Sequence, residues 1–79
     1  MVTVYSTPTC GFCHMLKEYL KGKDIEFESK DVSTDAEAAK EMVELSGQQG
    51  VPVADFDGSV IVGFDRAQID AVLREKKLM

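Results

Sequence analysis

The residues of this chain with the clearest chemistry are two cysteines three positions apart, Cys10 and Cys13, in a sequence of 79 residues. A secreted disulfide scaffold would carry more cysteines, spread along the chain. A single Cys-x-x-Cys pair is instead typical of redox or metal chemistry. The structural element that carries the pair decides between these two.

The position predicted for Cys10 favours redox chemistry. Residues 2–5 are mostly strand formers and residues 6–9 read Ser-Thr-Pro-Thr, which indicates a strand followed by a turn. Apolar residues then recur with the spacing of one helix face, at Phe12, Met15, Leu16, Tyr19 and Leu20. Cys10 is therefore expected at a helix start, where free N–H groups and the helix dipole lower a thiol pKa from ~8.5 toward ~7.

In that setting the pair predicts two successive thiol–disulfide exchanges. Cys10 attacks a target disulfide as the nucleophile, and Cys13, one turn further along the same helix face, then attacks Cys10 and releases the reduced target. Gly11 keeps the surface open for a partner. Phe12 is either a partner contact or a core residue, because its apolar spacing fits both.

Haem and zinc chemistry compete with this interpretation. Residues 10–14 read Cys-Gly-Phe-Cys-His, the attachment pattern of c-type haem, but that chemistry belongs to exported chains, and residues 1–5 lack the features of an export signal. Structural zinc needs four ligands, and only Cys10, Cys13 and His14 offer themselves. We therefore expect no tightly bound metal or cofactor. His14 either tunes the thiolate or lies exposed on the helix.

The remaining pattern predicts one α/β domain over residues 1–79, in the order β-α-β-α-β-β-α. Residues 25–32 form the second strand, parallel to the first through a right-handed crossover. Ser33 or Thr34 begins the second helix, with Thr34 and Glu37 as a capping box. Helices are expected on both faces of the sheet.

The last part of the chain adds a hairpin and a helix. Strands 53–56 and 59–62 are joined at Asp57-Gly58, a strong hairpin signal. Asp65 caps the last helix, with Gln68 at the third position. The Phe64–Asp65 turn at that helix start offers N–H groups to a carboxylate.

Charge and hydropathy limit the partners. A net charge of −5 argues against nucleic acid, since phosphates need clustered cations. Arg74, Lys76 and Lys77 instead fit the end of the last helix, where cations oppose its dipole. No stretch approaches the ~20 apolar residues of a membrane span. We expect a cytoplasmic monomer that binds neither nucleic acid nor membrane.

The Val51-Pro52 pair is the second candidate site element. One possibility is a cis proline, which leaves the Val51 N–H and C=O free to pair with an extended substrate. The other is a trans proline at the start of an edge strand.

Together these segments resemble the glutaredoxin family over essentially the whole chain, nearest to the small YruB-type glutaredoxin-like proteins and the NrdH redoxins. The resemblance rests on Thr3-Val4-Tyr5-Ser6, on residues 7–13, on Gly50-Val51-Pro52-Val53 and on Val62-Gly63-Phe64-Asp65. It implies a thioredoxin fold with a mixed four-stranded sheet of order 2-1-3-4, and a cis Pro52. It also implies a substrate-binding surface at Thr9, Gly11, Phe12, Val51, Pro52, Gly63, Phe64 and Asp65.

Departures from the glutathione-using members concern the electron donor. Those members carry a lysine shortly before the active site, Thr-Val-Pro at the proline loop and Gly-Gly-Cys-Asp at the following turn. In this chain Ser6 and Thr7 stand where the lysine would be, and Gly50 replaces the threonine of Thr-Val-Pro. The following turn reads Val-Gly-Phe-Asp, with Val62 and Phe64 in place of a glycine and the cysteine, and no Lys or Arg precedes His14. We expect weak use of glutathione and better reduction by a thioredoxin-reductase-type flavoprotein.

The function predicted is that of a dithiol–disulfide oxidoreductase, an enzyme that serves as an electron carrier for disulfide-containing proteins. The alternative is an iron–sulfur cluster carrier, because Gly11-Phe12 also fills the Cys-Gly-Phe-Ser motif of monothiol glutaredoxins. This chain departs from that motif at Cys13.

Overall fold

The computed structural model describes residues 2–76, and the predicted element order is confirmed. The elements are β1 (Val2–Ser6), α1 (Gly11–Gly22), β2 (Phe27–Asp31), α2 (Ala36–Ser46), β3 (Val53–Phe56), β4 (Ser59–Val62) and α3 (Arg66–Glu75). The second strand is shorter than predicted, because Ile25 is tied to the preceding helix. Its N–H donates to the Leu20 carbonyl at 3.0 Å, and its side chain is buried.

The four strands form one mixed sheet of order β2-β1-β3-β4, as predicted. The central β1 pairs in parallel with β2 and antiparallel with β3, and β3 pairs antiparallel with β4. The register of β1 and β3 places Tyr5 opposite Val53. Continuing this register by one residue brings Ser6 opposite Pro52, so the end of β1 and the start of β3 meet at one edge of the sheet.

Helices cover both faces of the sheet, because strand residues alternate between two apolar clusters. On one face, α1 and α3 pack through Leu16, Leu20, Ile69 and Leu73 against a cluster that includes the fully buried Phe56. On the other face, α2 packs through Ala38 and Met42 against Tyr5 and Val53.

The predicted cap of α2 is wrong. The helix begins after Asp35, whose side chain accepts the Ala38 N–H at 3.1 Å. Ser33 and Thr34 belong instead to the preceding turn, where Asp31 accepts the Ser33 N–H and the Asp31 carbonyl accepts the Thr34 N–H. A carboxylate closer to the helix thus takes the capping role from the predicted hydroxyl.

The hairpin and the last helix form as predicted. Asp57 and Gly58 both adopt positive φ, 56° and 110°, as the tight turn between β3 and β4 requires. Asp65 caps α3 by accepting the Gln68 N–H at 3.2 Å. Of the predicted basic cluster, Arg74 lies in the last turn of α3, and Lys77 is outside the described residues.

Over residues 2–76, no helix has the length and apolar character needed to cross a membrane.

Candidate functional site

Three chain segments meet at the edge of the sheet where β1 ends. The segment after β1 turns sharply, with the Cys10 N–H donating to the Thr7 carbonyl at 3.3 Å, and leads directly into α1. The segment before β3 carries Pro52, and the segment after β4 carries Gly63. These last two are joined by a hydrogen bond of 2.8 Å from the Gly63 N–H to the Pro52 carbonyl. Cys10 therefore stands at the edge where the predicted binding segments converge.

Cys10 is the N-cap residue of α1, and its side chain is partly exposed. Its Sγ accepts the Cys13 N–H at 3.3 Å. The pKa of Cys10 is lowered, chiefly by its hydrogen bond with the Cys13 thiol and further by the backbone N–H groups of Cys13 and Phe12. These contacts stabilise the thiolate more than burial destabilises it, so the attacking form is favoured.

Cys13 has the opposite character although it lies only one helical turn away. It is 1% exposed, and burial raises its pKa to about 11, helped by its hydrogen bond with Cys10. A backbone hydrogen bond from Thr7 and the charge of Lys17 oppose this rise and are outweighed. The protonated Cys13 thiol is thus available as a donor to the Cys10 thiolate.

The remaining residues of the motif face solvent. Thr9, Gly11 and His14 are exposed, and the space around Gly11 is open. Phe12 is 63% exposed, so it is not the core residue that its spacing allowed. The buried stripe of α1 runs instead through Cys13, Leu16 and Leu20. Phe12 therefore presents a bare aromatic ring two residues after Cys10.

The Val51–Pro52 peptide bond is cis, the first of the two alternatives. Pro52 is buried immediately before β3, whereas Val51 is partly buried and packs on the α2 side of the sheet. The loop that precedes them is held by Gln48, whose side chain forms hydrogen bonds with both backbone groups of Gly50.

The turn from Gly63 to Asp65 borders an apolar groove beside α1. Gly63 adopts a φ of 82°, and the Phe64 ring packs edge-on against Tyr19 with ring centroids 5.7 Å apart. The groove has a volume of about 480 Å³ and is lined by Met15, Glu18, Tyr19, Phe64 and Arg66. The Asp65 carboxylate serves as the α3 cap, so the turn is rigidly joined to that helix.

Tyr19, which the sequence pattern placed in the core, packs partly buried against the core and also lines this groove. Its hydroxyl donates to Asp70 of α3 at 2.5 Å, and the Lys23 ammonium lies 5.0 Å from its ring centroid and 3.8 Å from Asp70. Since Tyr19 and Asp70 lie 51 positions apart, no local signal in the sequence connects them. This network ties α1 to α3 below the Phe64 turn.

Metal-binding residues do not gather in the part of the chain that the structure covers. Residues 2–76 contain no group of three or more His, Cys, Asp or Glu side chains arranged to hold a metal ion.

Comparison with protein families and known sequences gives consistent results. The glutaredoxin family model matches residues 2–61. A glutaredoxin-like 8.6 kDa protein of the rubredoxin operon of Clostridium pasteurianum is 48% identical, over 95% of this chain and all of that protein. Glutaredoxin 3 of Escherichia coli K12 is 33% identical over 81% of this chain and 77% of its own length. The glutaredoxin-like protein NrdH of Lactococcus lactis IL1403 is 30% identical over 87% of this chain and 94% of its own length.

Solved structures share the fold over nearly the whole chain. The thioredoxin-like protein BC3987 superposes with a TM-score of 0.87 at 30% identity, covering 92% of this chain and all of that one. The NrdH-redoxin of Escherichia coli superposes with a TM-score of 0.79 at 26% identity, covering 89% of this chain and 91% of that one. The architecture is therefore the thioredoxin fold, as the sequence resemblance implied.

Proposed function

Because the chain belongs to the glutaredoxin family, we propose that it is a dithiol–disulfide oxidoreductase that reduces disulfides in other proteins. Cys10 is the nucleophile and Cys13 the resolving thiol. The observation that carries this proposal is the contrast within the pair: Cys10 is accessible with a lowered pKa, whereas Cys13 is buried with a pKa of about 11. One thiol is thus prepared to attack an incoming disulfide while the other is held back.

The proposed reaction moves two electrons in two exchanges. The Cys10 thiolate attacks one sulfur of the target, so that a Cys10–target disulfide forms, the target disulfide breaks and the departing target thiolate takes a proton from solvent. Cys13 then loses its proton and attacks Cys10 Sγ, which forms the Cys10–Cys13 disulfide and expels the second target thiolate. The target is reduced and the pair is oxidised.

Cys10 loses its negative charge once the mixed disulfide has formed. The Cys13 thiol then no longer has a thiolate to hydrogen-bond, and one of the causes that raise its pKa disappears. Cys13 therefore becomes easier to ionise at the stage when it must attack. Burial still limits its reaction with outside disulfides, which favours intramolecular resolution.

The charge of the predicted binding residues supports a choice of electron donor, since the nearby cations Lys17 and Arg66 lie outside that set. The predicted binding residues are neutral apart from Asp65, whose carboxylate already caps α3. Glutathione carries two carboxylates, and a missing charge-assisted hydrogen bond costs about 1.5–3 kcal/mol. We therefore propose that a thioredoxin-reductase-type flavoprotein supplies the two electrons and that glutathione does so poorly. The Escherichia coli NrdH-redoxin, 26% identical, is described as having a thioredoxin-like activity profile.

Trapping of the mixed disulfide tests the assignment of the two thiols. Cys13→Ser cannot complete the second exchange, so it should accumulate a covalent complex with a disulfide-bonded protein such as insulin. Cys10→Ser is the matched control and should form none. A complex formed by Cys10→Ser but not by Cys13→Ser would reverse the two roles, and the absence of insulin reduction by the wild-type protein would refute the function.

The donor is tested by measuring insulin reduction with two reducing systems, glutathione with glutathione reductase and a thioredoxin reductase with NADPH. We expect faster turnover with thioredoxin reductase at physiological glutathione concentrations. Faster turnover with glutathione would show that backbone contacts alone bind it well, and the donor assignment would then be wrong.

A further inference from the structure

The side chain of Gln48 encloses the backbone of Gly50, two residues before the Val51–Pro52 bond. Gln48 Oε1 accepts the Gly50 N–H at 2.6 Å, and Gln48 Nε2 donates to the Gly50 carbonyl at 2.9 Å. We call this arrangement of Gln48 and Gly50 the carboxamide clamp. Both polar groups of one exposed loop residue are thereby satisfied by one side chain.

The clamp has a geometric consequence for the next residue. The Gly50 carbonyl and the Val51 N–H belong to the same peptide unit, which is planar and trans. In a trans unit the C=O and N–H bonds point in opposite directions, so drawing the Gly50 oxygen toward Gln48 turns the Val51 N–H away from it. Among the hydrogen bonds within residues 2–76, none has the Val51 N–H as donor.

We propose that Gln48 is a positioning residue that orients the Val51 N–H for pairing with the backbone of an extended disulfide substrate. The proposal rests on the proposed function, since it assigns the loop before Pro52 to substrate binding. The hydrogen bonds of Gln48 within residues 2–76 are with Ser46 and Gly50 and none is with a cysteine. Gln48 acts by removing the rotational freedom of one peptide plane before the substrate arrives, so that less conformational entropy is lost on binding.

The clamp is itself anchored to α2. Ser46 Oγ, at the last residue of that helix, donates to the carbonyl of the buried Met42 at 2.6 Å. The same oxygen accepts the Gln48 backbone N–H and the Gln48 Nε2–H, both at 3.4 Å. Gln48 is therefore held at its backbone and at its side chain, and its orientation is transmitted from a packed helix to the loop.

Gly50 is the residue type that this clamp requires. A Cβ placed on Gly50 would lie 2.6 Å from Gln48 Oε1, which is too close for the carboxamide to stay where it is. Gly50→Ala should therefore displace the Gln48 side chain and break the clamp from the opposite side. The two substitutions Gln48→Ala and Gly50→Ala should have similar effects, and the double variant should resemble either one.

The experiment follows single-turnover reduction of two probes by pre-reduced protein: a fluorescence-quenched peptide disulfide and 2-hydroxyethyl disulfide, which has no peptide backbone. We expect Gln48→Ala and Gly50→Ala each to raise the half-saturating peptide concentration about three- to tenfold, the loss of one oriented hydrogen bond, with an unchanged limiting rate. Reduction of 2-hydroxyethyl disulfide and the pH profile of Cys10 alkylation should not change. Gln49→Ala, an exposed neighbour, is the control and should match the wild type.

Three results would overturn the role of Gln48. The first is a half-saturating peptide concentration in Gln48→Ala within twofold of the wild type, and the second is a pair of effects that multiply in the double variant. The third is an equal loss with both probes, because it would indicate general damage to the fold. If the wild-type protein reduces neither probe, the proposed function itself fails. Hydrogen exchange measured without substrate tests the clamp independently. The Gly50 amide should exchange faster in Gln48→Ala than in the wild type, and equal rates would show that the clamp does not hold that group in solution.

Discussion

The difference between the two thiols predicts the outcome of competitive alkylation of the reduced protein at pH 7. With a pKa of about 11, Cys13 carries its thiolate in about 1 of 10,000 molecules. The pKa of Cys10 lies below the ordinary 9.0, so its thiolate is present in more than about 1 of 100. The thiolate ratio therefore favours Cys10 by at least about 100-fold.

Intrinsic reactivity reduces this ratio but does not remove it. A thiolate of lower pKa is a weaker nucleophile, and with a Brønsted coefficient of ~0.4–0.5 this returns to Cys13 at most about half, on a logarithmic scale, of the thiolate advantage of Cys10. At least about tenfold remains in favour of Cys10, and the 1% exposure of Cys13 enlarges it further. Iodoacetamide should therefore modify Cys10 first, as measured by mass spectrometry of peptides from timed, quenched samples.

Single-cysteine variants remove the complication that alkylation of one thiol changes the other. Cys13→Ser should react rapidly near neutral pH, and Cys10→Ser should react slowly until the pH approaches the pKa of Cys13. Similar rates for the two variants at pH 7, within a factor of two, would refute the reasoning from burial and hydrogen bonding. Faster reaction of Cys10→Ser would reverse the assignment.

Three further predictions concern stability and bound groups. Because the folded state raises the pKa of Cys13 from 9.0 to about 11, the reduced wild-type protein should lose about 2 kcal/mol more unfolding free energy than Cys13→Ser as the pH rises from 9 to 11; equal pH profiles of the two proteins in urea titrations would contradict it. Asp35→Ala should lower the unfolding free energy by about 1 kcal/mol and Thr34→Ala by less than half as much, which the same titrations would measure; the reverse order would restore Thr34 as the cap. Protein purified anaerobically should show no visible absorbance from an iron–sulfur cluster, and a cluster band that disappears in Cys10→Ser would favour the carrier alternative.

Much of the fold could be predicted because its signals are local. The hairpin at Asp57-Gly58 and the α3 cap at Asp65 each depend on residues within a few positions, and a short polar side chain or a glycine suffices to form them. The prediction of the α2 cap was wrong because the local signal there is ambiguous. Thr34 and Asp35 are adjacent and both capable of capping, and the turn after β2, in which Asp31 bonds Ser33 and Thr34, decides which one begins the helix.

By itself the sequence determined where the two thiols stand: Cys10 at the start of a helix that follows a strand and a turn, and Cys13 one turn later. That position already predicts a lowered pKa for Cys10, but only the tertiary structure decided that Cys13 is buried with a raised pKa, because burial is a property of the packed helix. Apolar spacing put Phe12 on the same helix face as Leu16 and Leu20, whereas packing against the sheet buried Cys13 with those two leucines and left Phe12 in solvent. The buried face of α1 therefore includes Cys13 in place of Phe12. As a result the exposed Phe12 ring lies near the reactive Cys10, and the resolving Cys13 is shielded from solvent.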